Sequence, residues 1–200
     1  MISFKDKLKL VNEYIKESLH AYNDANSLSN IIRLFINNVK KCYLHIPYTY
    51  KHSKCFRKLE KKLLGDVTHG TFHDFDKLFM LIFFPFLGEK CINKIHALMT
   101  DHHPIYFNPY AKSNESGIVY KNGNDVDWVE AVIDWECARF TKPDKPLDSY
   151  DTFKKYYNSS EEYQIKVVSA MLYLGLYVPV YKDGYCIDLK KTNIIDNFKY

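Results

Sequence analysis

The segment THGTFHDFDK, residues 68–77, holds the feature that most constrains this chain, the adjacent pair His73 and Asp74. A neutral imidazole and a carboxylate are common ligands of zinc, manganese, iron and nickel, and one carboxylate can also bridge two ions. The longest apolar run, Leu78–Leu87, follows directly. Because a membrane span needs about 20 apolar residues, this shorter run predicts a helix that follows the pair into a protein core.

A cluster of three histidines lies downstream of this pair, at His96, His102 and His103. Residues seven apart share one face of a continuous helix, so His96 and His103 are expected to point the same way. Three histidines within eight residues favour metal or phosphate binding over surface decoration. Upstream, His45 is a further candidate ligand.

A carboxylate-bearing helix is predicted over Asp127–Phe140. Asp127, Glu130 and Asp134 share one stripe, whereas Trp and aliphatic residues fill most of the remaining surface. A helix this apolar is expected to be buried on several sides, so its acidic stripe faces either water or a polar site. A buried carboxylate needs a partner, and a metal or a basic neighbour would supply one.

The composition is typical of an ordinary globular domain. The chain has 200 residues, of which 46% are hydrophobic, and includes 17 Tyr and 13 Phe. A net charge of only +4, spread along the chain, disfavours a dedicated nucleic-acid surface. Five cysteines without Cys-x-x-Cys spacing indicate reduced thiols. We therefore expect a cytoplasmic protein (host cytoplasm if viral) with no membrane partner and no targeting segment in Met1–Leu19.

The periodicity of apolar residues predicts an all-α fold, a helical bundle with a small C-terminal β-hairpin. We expect an N-terminal helical domain over residues 1–145 and a helical extension with the hairpin over 146–200. The hairpin is predicted over Tyr177–Leu189, around Lys182-Asp183-Gly184. A loop is expected over Asn108–Asn124. Helices are predicted over residues 4–19, 27–44, 54–64, 73–85, 89–101, 127–140 and 160–174.

These motifs together resemble the HD-domain metal-dependent phosphohydrolases. His45, His73-Asp74 and Asp134 resemble the H…HD…D pattern of that superfamily. Three further elements resemble a small HD-like family of phage and bacterial genomes over residues 44–135: His73 to Lys77, His96-x5-His102-His103, and Glu130-x3-Asp134-Trp135. One departure is Asp76, because the family usually has serine or glycine before the lysine.

The resemblance implies an HD-like helical bundle that binds one or two divalent ions (Mn, Fe, Zn, Ni or Mg) and hydrolyses a small phosphate ester, possibly a nucleotide. One ion would be held by His45, His73, Asp74 and Asp134, with His52 and His69 as alternatives to His45. Asp74 would bridge to a second ion at His96 and His102 or His103. The catalytic candidates that it implies are Asp74, Lys77 and Glu130. Lys77 would neutralise the substrate phosphate, and Glu130 would orient a histidine.

Two other functions use the same residues. An HD-type di-iron oxygenase has a similar ligand set, and bound iron with an oxygen-dependent reaction would identify it. A non-catalytic binding protein with a degenerate HD site would carry no metal. The extra carboxylate of Asp76 would alter the choice of metal or repel a phosphate.

Overall fold

The computed structural model describes residues 2–66, 72–111, 117–142, 147–157 and 160–200, with the backbone alone at 186 and 187. The described residues are mostly helical and include two short antiparallel hairpins, which confirms the predicted predominance of helix. The elements are α1 (Phe4–Asn23), α2 (Leu28–Leu64), α3 (Phe75–Phe83), α4 (Glu89–Met99), β1 (Ile105–Phe107), β2 (Ile118–Tyr120), α5 (Trp128–Thr141), α6 (Ser149–Tyr156), α7 (Glu161–Tyr173), β3 (Tyr177–Lys182) and β4 (Tyr185–Lys191).

The chain forms two compact units that alternate along the sequence. The first unit comprises Met1–Ser53 and Asp74–Val126, and the second comprises Lys54–His73 and Asp127–Tyr200. The boundaries fall inside α2 and between His73 and Asp74.

Helix α2 is a single helix of 37 residues, whereas the sequence predicted two separate helices over the same region. Pro47 lies inside it, although an internal proline removes a hydrogen bond and costs about 3 kcal/mol. Buried side chains recur at helical spacing on both sides of the proline, at Cys42, Thr49 and His52. Packing of this buried face offsets the free-energy cost of Pro47. Helix prediction from short sequence segments does not include such packing, so it placed a break at the proline.

Helix α3 begins at Phe75, two residues later than predicted, because Asp74 adopts a left-handed conformation with φ of 58°. The helix ends at Phe83, and Pro85 opens a short 3-10 helix over Pro85–Leu87. The prediction that Pro85 bends or ends the helix is therefore confirmed.

The first unit buries one face of α4 against α1 and α3. Leu10 and Tyr14 of α1, Leu81 of α3, and Ile92 and Ile95 of α4 belong to its core. Burial of such side chains contributes about 1.5–3 kcal/mol each. This packing holds α3 and α4 side by side, and they carry Asp74, Asp76 and His96.

Helix α4 ends at Met99, two residues earlier than predicted, so His102 and His103 lie beyond it. The ammonium of Lys121 terminates this helix by donating to the carbonyls of Ala97 (2.8 Å) and Thr100 (2.5 Å). A cation at a helix C-terminus is favourable because it satisfies carbonyls that have no partner within the helix.

Strands β1 and β2 occupy a region where the sequence predicted no regular strands. They form a three-residue antiparallel ladder, with Ile105 opposite Tyr120 and Phe107 opposite Ile118. The loop expected over Asn108–Asn124 therefore contains a strand, β2. Short ladders of this kind give too few alternating residues for periodicity to detect.

The second unit packs α5 against α6 and α7. Trp128 and Trp135 of α5 contact the rings of Tyr163 and Tyr157, and Ile133 and Met171 are fully buried. Asp127 caps α5 by accepting a hydrogen bond from the Glu130 N–H. The expectation that α5 is buried on several sides is confirmed.

The C-terminal hairpin lies where it was predicted. Tyr177 pairs with Lys191 at its open end, and Lys182 pairs with Tyr185 beside the turn. Asp183 and Gly184 both have positive φ, at 51° and 82°. This Asp-Gly pair is the sequence that a two-residue type I′ turn requires.

Lys121 gives the first unit a specific pH dependence. Burial lowers the pKa of Lys121 to about 8, so the folded chain binds this proton more weakly than the unfolded chain. We therefore expect the free energy of unfolding of wild type to rise relative to that of Lys121→Met between about pH 8 and 10, by up to about 1.4 kcal/mol per pH unit. Urea titrations of both proteins at several pH values would measure this, and parallel curves would contradict it.

Candidate metal centre

The site of the first unit begins at Asp74, the residue that precedes α3. A positive φ in a non-glycine residue costs of order 1 kcal/mol or more, and such strain clusters at functional sites. An aspartate at this position usually accepts a hydrogen bond from its own helix, but the Asp74 side chain makes no such cap. Its Oδ1 instead lies 2.8 Å from Nε2 of His96. The strained turn therefore aims the carboxylate away from α3 and toward α4.

His96 lies between two carboxylates and is almost completely buried. While Nε2 faces Asp74, Nδ1 lies 2.9 Å and 3.0 Å from the two carboxylate oxygens of Asp76. Burial alone would lower the pKa of His96, but the contacts with Asp74 and Asp76 outweigh it and raise that pKa. Burial would likewise raise the pKa of Asp76, but its hydrogen bond to His96 and the imidazolium charge lower it.

His102 and His103 complete a group of three imidazoles. The ring centroids of His102 and His103 are 5.3 Å and 5.0 Å from that of His96. One ring nitrogen from each of the three histidines lies within 4.8 Å of the others. Nε2 of His102 is also 4.0 Å from Oδ1 of Asp74. The three histidines therefore converge although only His96 belongs to a helix.

His52, and not His45, is the histidine of α2 that lies beside Asp74. His52 is buried and one of its ring nitrogens is within 4.8 Å of an Asp74 oxygen. His45 is half-exposed, and its Nε2 is 3.4 Å from Oε2 of Glu89. Seven residues separate the two histidines, which is about 10 Å along a helix. The geometry within the first unit therefore favours His52 of the two alternatives that the sequence offered.

The donor set of the first unit fits a divalent metal ion. It offers imidazole nitrogens from four histidines and a carboxylate, the ligands that zinc, iron, manganese and nickel accept. Ligand bonds of about 2.0–2.2 Å place neighbouring donor atoms of a tetrahedral site roughly 3.4 Å apart. The distances from Oδ1 of Asp74 to Nε2 of His96 (2.8 Å) and to Nε2 of His102 (4.0 Å) lie on either side of that spacing. Asp76 is hydrogen-bonded to Nδ1 of His96. Metal-binding histidines commonly have a carboxylate at the ring nitrogen that does not bind the metal. These residues could hold an ion.

In the second unit the side chain of His73 has no exposed area. The ring stacks on Phe56 with centroids 3.8 Å apart. Its Nδ1 lies 3.2 Å from Oε1 of Glu130, and its Nε2 lies 3.4 Å from Oδ1 of Asp134. Both carboxylates project from the acidic stripe of α5. Glu130 therefore contacts a histidine, as the resemblance implied, and Asp134 lies beside the nitrogen that could bind an ion.

The predicted ligands are thus found in two groups. Asp74, His96, His102 and His103 belong to the first unit, and His73, Glu130 and Asp134 belong to the second. The convergence of His45, His73, Asp74 and Asp134 on one ion involves both units and stays a prediction. Lys77 lies half-buried in the first turn of α3, and His69 lies outside the described residues.

Sequence reasoning missed two contributions to these groups. Asp76 appeared only as a departure from a family pattern, but it forms hydrogen bonds with His96. Phe56 had no signal in the sequence, because an aromatic residue at helical spacing is usually an ordinary core residue. An acidic residue two positions after the ligand aspartate could have suggested the role of Asp76.

Comparisons with protein-family models, with curated proteins and with solved structures found no match to this chain. None of the helices among the described residues combines the length and apolar character needed to cross a membrane. The resemblance to the HD superfamily therefore remains an expectation that rests on the motifs.

Asp76 provides a direct test of the first-unit site. Replacing it with Ala removes the hydrogen bonds that orient His96, so we expect metal affinity to fall by about 10–100-fold. Isothermal titration of the metal-free protein with Zn²⁺ and Mn²⁺ would measure the change. Asp101→Ala is the matched control, because the Asp101 side chain is 70% exposed in the same unit. Equal affinities for both variants would show that Asp76 does not orient a ligand.

Proposed function

We propose that this protein is a metal-dependent phosphohydrolase that acts on a nucleotide or another small phosphate ester. The observation that carries the proposal is the group formed by buried Asp74, His96 and His102 with half-buried His103. His52 lies beside Asp74, and Asp76 contacts the other ring nitrogen of His96. A buried set of this kind is expensive to maintain without a function, because charged groups in a protein interior must be paired or bind an ion.

His96, Asp74 and at least one of His102 and His103 would hold the ion. When bound, a divalent ion lowers the pKa of a coordinated water and stabilises negative charge on a phosphoryl oxygen. The chain itself supplies the orientation: Asp76 holds Nδ1 of His96, so that Nε2 is directed toward Asp74. In the second unit, Glu130 fixes His73 in the same way.

Lys77 is the residue that we assign to the substrate phosphate. It follows Asp74 by three residues, so both lie at the beginning of α3. An ammonium group is a strongly hydrated point charge that commonly binds phosphates. The order of His73-Asp74, the three histidines and Glu130-x3-Asp134 supports an HD-type site over unrelated metal-dependent classes, and Lys77 favours a phosphate ester as its substrate.

Two substitutions separate binding of metal from binding of substrate. Asp74→Ala should abolish hydrolysis and reduce metal content with little loss of fold, because it removes a ligand but leaves His96 hydrogen-bonded to Asp76. Lys77→Ala should raise KM by about tenfold while metal content stays near normal. Elemental analysis of purified protein, beside a screen of nucleotides and generic phosphate esters, would supply both readouts. Lys5→Ala is the control, since Lys5 is exposed on α1.

Particular results would reject these assignments. Full activity of Asp74→Ala on a verified substrate would end the HD interpretation. Loss of metal in Lys77→Ala, as complete as in Asp74→Ala, would show that Lys77 belongs to the metal site. Bound iron with an oxygen-dependent reaction would identify the oxygenase alternative, and carefully purified protein without metal or activity would indicate a binding protein.

A further inference from the structure

One face of α2 in the first unit exposes an apolar stripe that the fold does not cover. Ile32, Ile36, Tyr43 and Tyr50 are exposed by 49%, 55%, 55% and 58%. Their spacing of four, seven and seven residues places them along one side of the helix. Between Ile32 and Tyr50 this stripe is about 27 Å long, at 1.5 Å per residue.

The same helix buries a different face. Cys42, Thr49 and His52 are buried and recur at intervals of seven and three residues. At about 100° per residue, this face lies roughly a quarter turn or more from the exposed stripe. The stripe is therefore not part of the core. Helix α2 has a second apolar face, which the first unit does not bury.

Basic residues border the stripe on its solvent side. Arg33, Lys40 and Lys51 are exposed and recur every seven to eleven residues, which places them in a row beside Ile36 and Tyr43. Over residues 28–53 the helix carries four Lys and Arg residues and no Asp or Glu. An exposed apolar stripe beside a basic row is typical of helices that lie on anionic membrane surfaces.

A second copy of the chain is a poorer fit to this surface. Two such stripes would bring basic rows together, and α2 offers no acidic residue over 28–53 to neutralise them. A strip about 27 Å long and one helix wide, about 10 Å, covers roughly 270 Å². A stable interface usually buries about 800 Å² on each partner. A bilayer needs no such area, because it accepts individual side chains at the level of its headgroups.

We propose that residues 28–53 of α2 bind the surface of an anionic lipid bilayer, with the helix lying parallel to it. Ile32 and Ile36 would enter the boundary between headgroups and acyl chains, where Tyr43 and Tyr50 also find a favourable place. Arg33 and Lys40 would contact the anionic headgroups. The expectation of no membrane partner rested on the lack of a membrane span, and peripheral binding does not need one.

Vesicle flotation tests this proposal on the full-length protein. The probes are phosphatidylcholine vesicles with and without 30% phosphatidylserine, at about 50 mM and 500 mM NaCl. We expect binding to the phosphatidylserine vesicles alone, and loss of that binding at high salt. Arg33→Gln with Lys40→Gln should weaken it about 25-fold, since each basic residue near an anionic surface contributes about fivefold. Ile36→Ser with Tyr43→Ser should weaken it at least tenfold.

Matched controls separate this surface from general stickiness. Ile165→Ser removes an isoleucine that is 61% exposed on α7 in the second unit, and Lys5→Gln removes an exposed lysine of α1. Both should bind like wild type, and circular dichroism should show that every variant retains its helix content. Equal losses in the controls, or no binding by folded wild type, would overturn the proposal.

Sedimentation equilibrium tests whether a second copy of the chain binds the stripe instead of lipid. We expect that the wild-type protein does not self-associate through the α2 stripe. The double substitution Ile36→Ser with Tyr43→Ser should therefore leave the oligomeric state unchanged. A dimer that this double substitution dissociates would assign the stripe to self-association and would overturn binding to lipid. The test uses lipid and protein alone, so it is independent of any phosphohydrolase activity.

Discussion

The contact of His96 with two carboxylates is the constraint on which the first unit depends. Its Nε2 faces Asp74 and its Nδ1 faces Asp76, in a position almost closed to solvent. A buried charged group that loses its partner costs about 3–5 kcal/mol. The beginning of α3 and the last turn of α4 must therefore keep their present separation, and the apolar contacts between these helices maintain it.

The left-handed turn at Asp74 follows from the same constraint. In an ordinary helix start, the Asp74 carboxylate would cap α3 and would not be directed toward His96. The positive φ of Asp74 destabilises the backbone locally but directs the carboxylate toward His96. His73, the preceding residue, has its ring stacked on Phe56 of the second unit. His73 and Asp74 therefore belong to different compact units, although they are adjacent in the sequence.

Helix α2 shows what residue patterns predict about a helix and what they do not predict. Its apolar residues and its basic charge are visible in the sequence, and they predicted helices on both sides of Pro47. Only the packed structure shows that Cys42 and Thr49 are buried whereas Ile36 and Tyr43 are exposed. Periodicity identifies a helix that has an apolar side, but on a helix with two apolar faces it does not say which face is covered.

By itself, the sequence determined the helical class, the C-terminal hairpin and the residue types of the candidate metal centre. These depend on local properties, namely apolar spacing, the Asp-Gly turn and the chemistry of His and Asp side chains. The tertiary structure placed His52, and not His45, beside Asp74, gave Asp76 its contact with His96, and assigned the neighbouring residues His73 and Asp74 to different compact units. Each of these depends on distances between elements remote in sequence, and such distances are set by packing of the two cores, which no local pattern encodes.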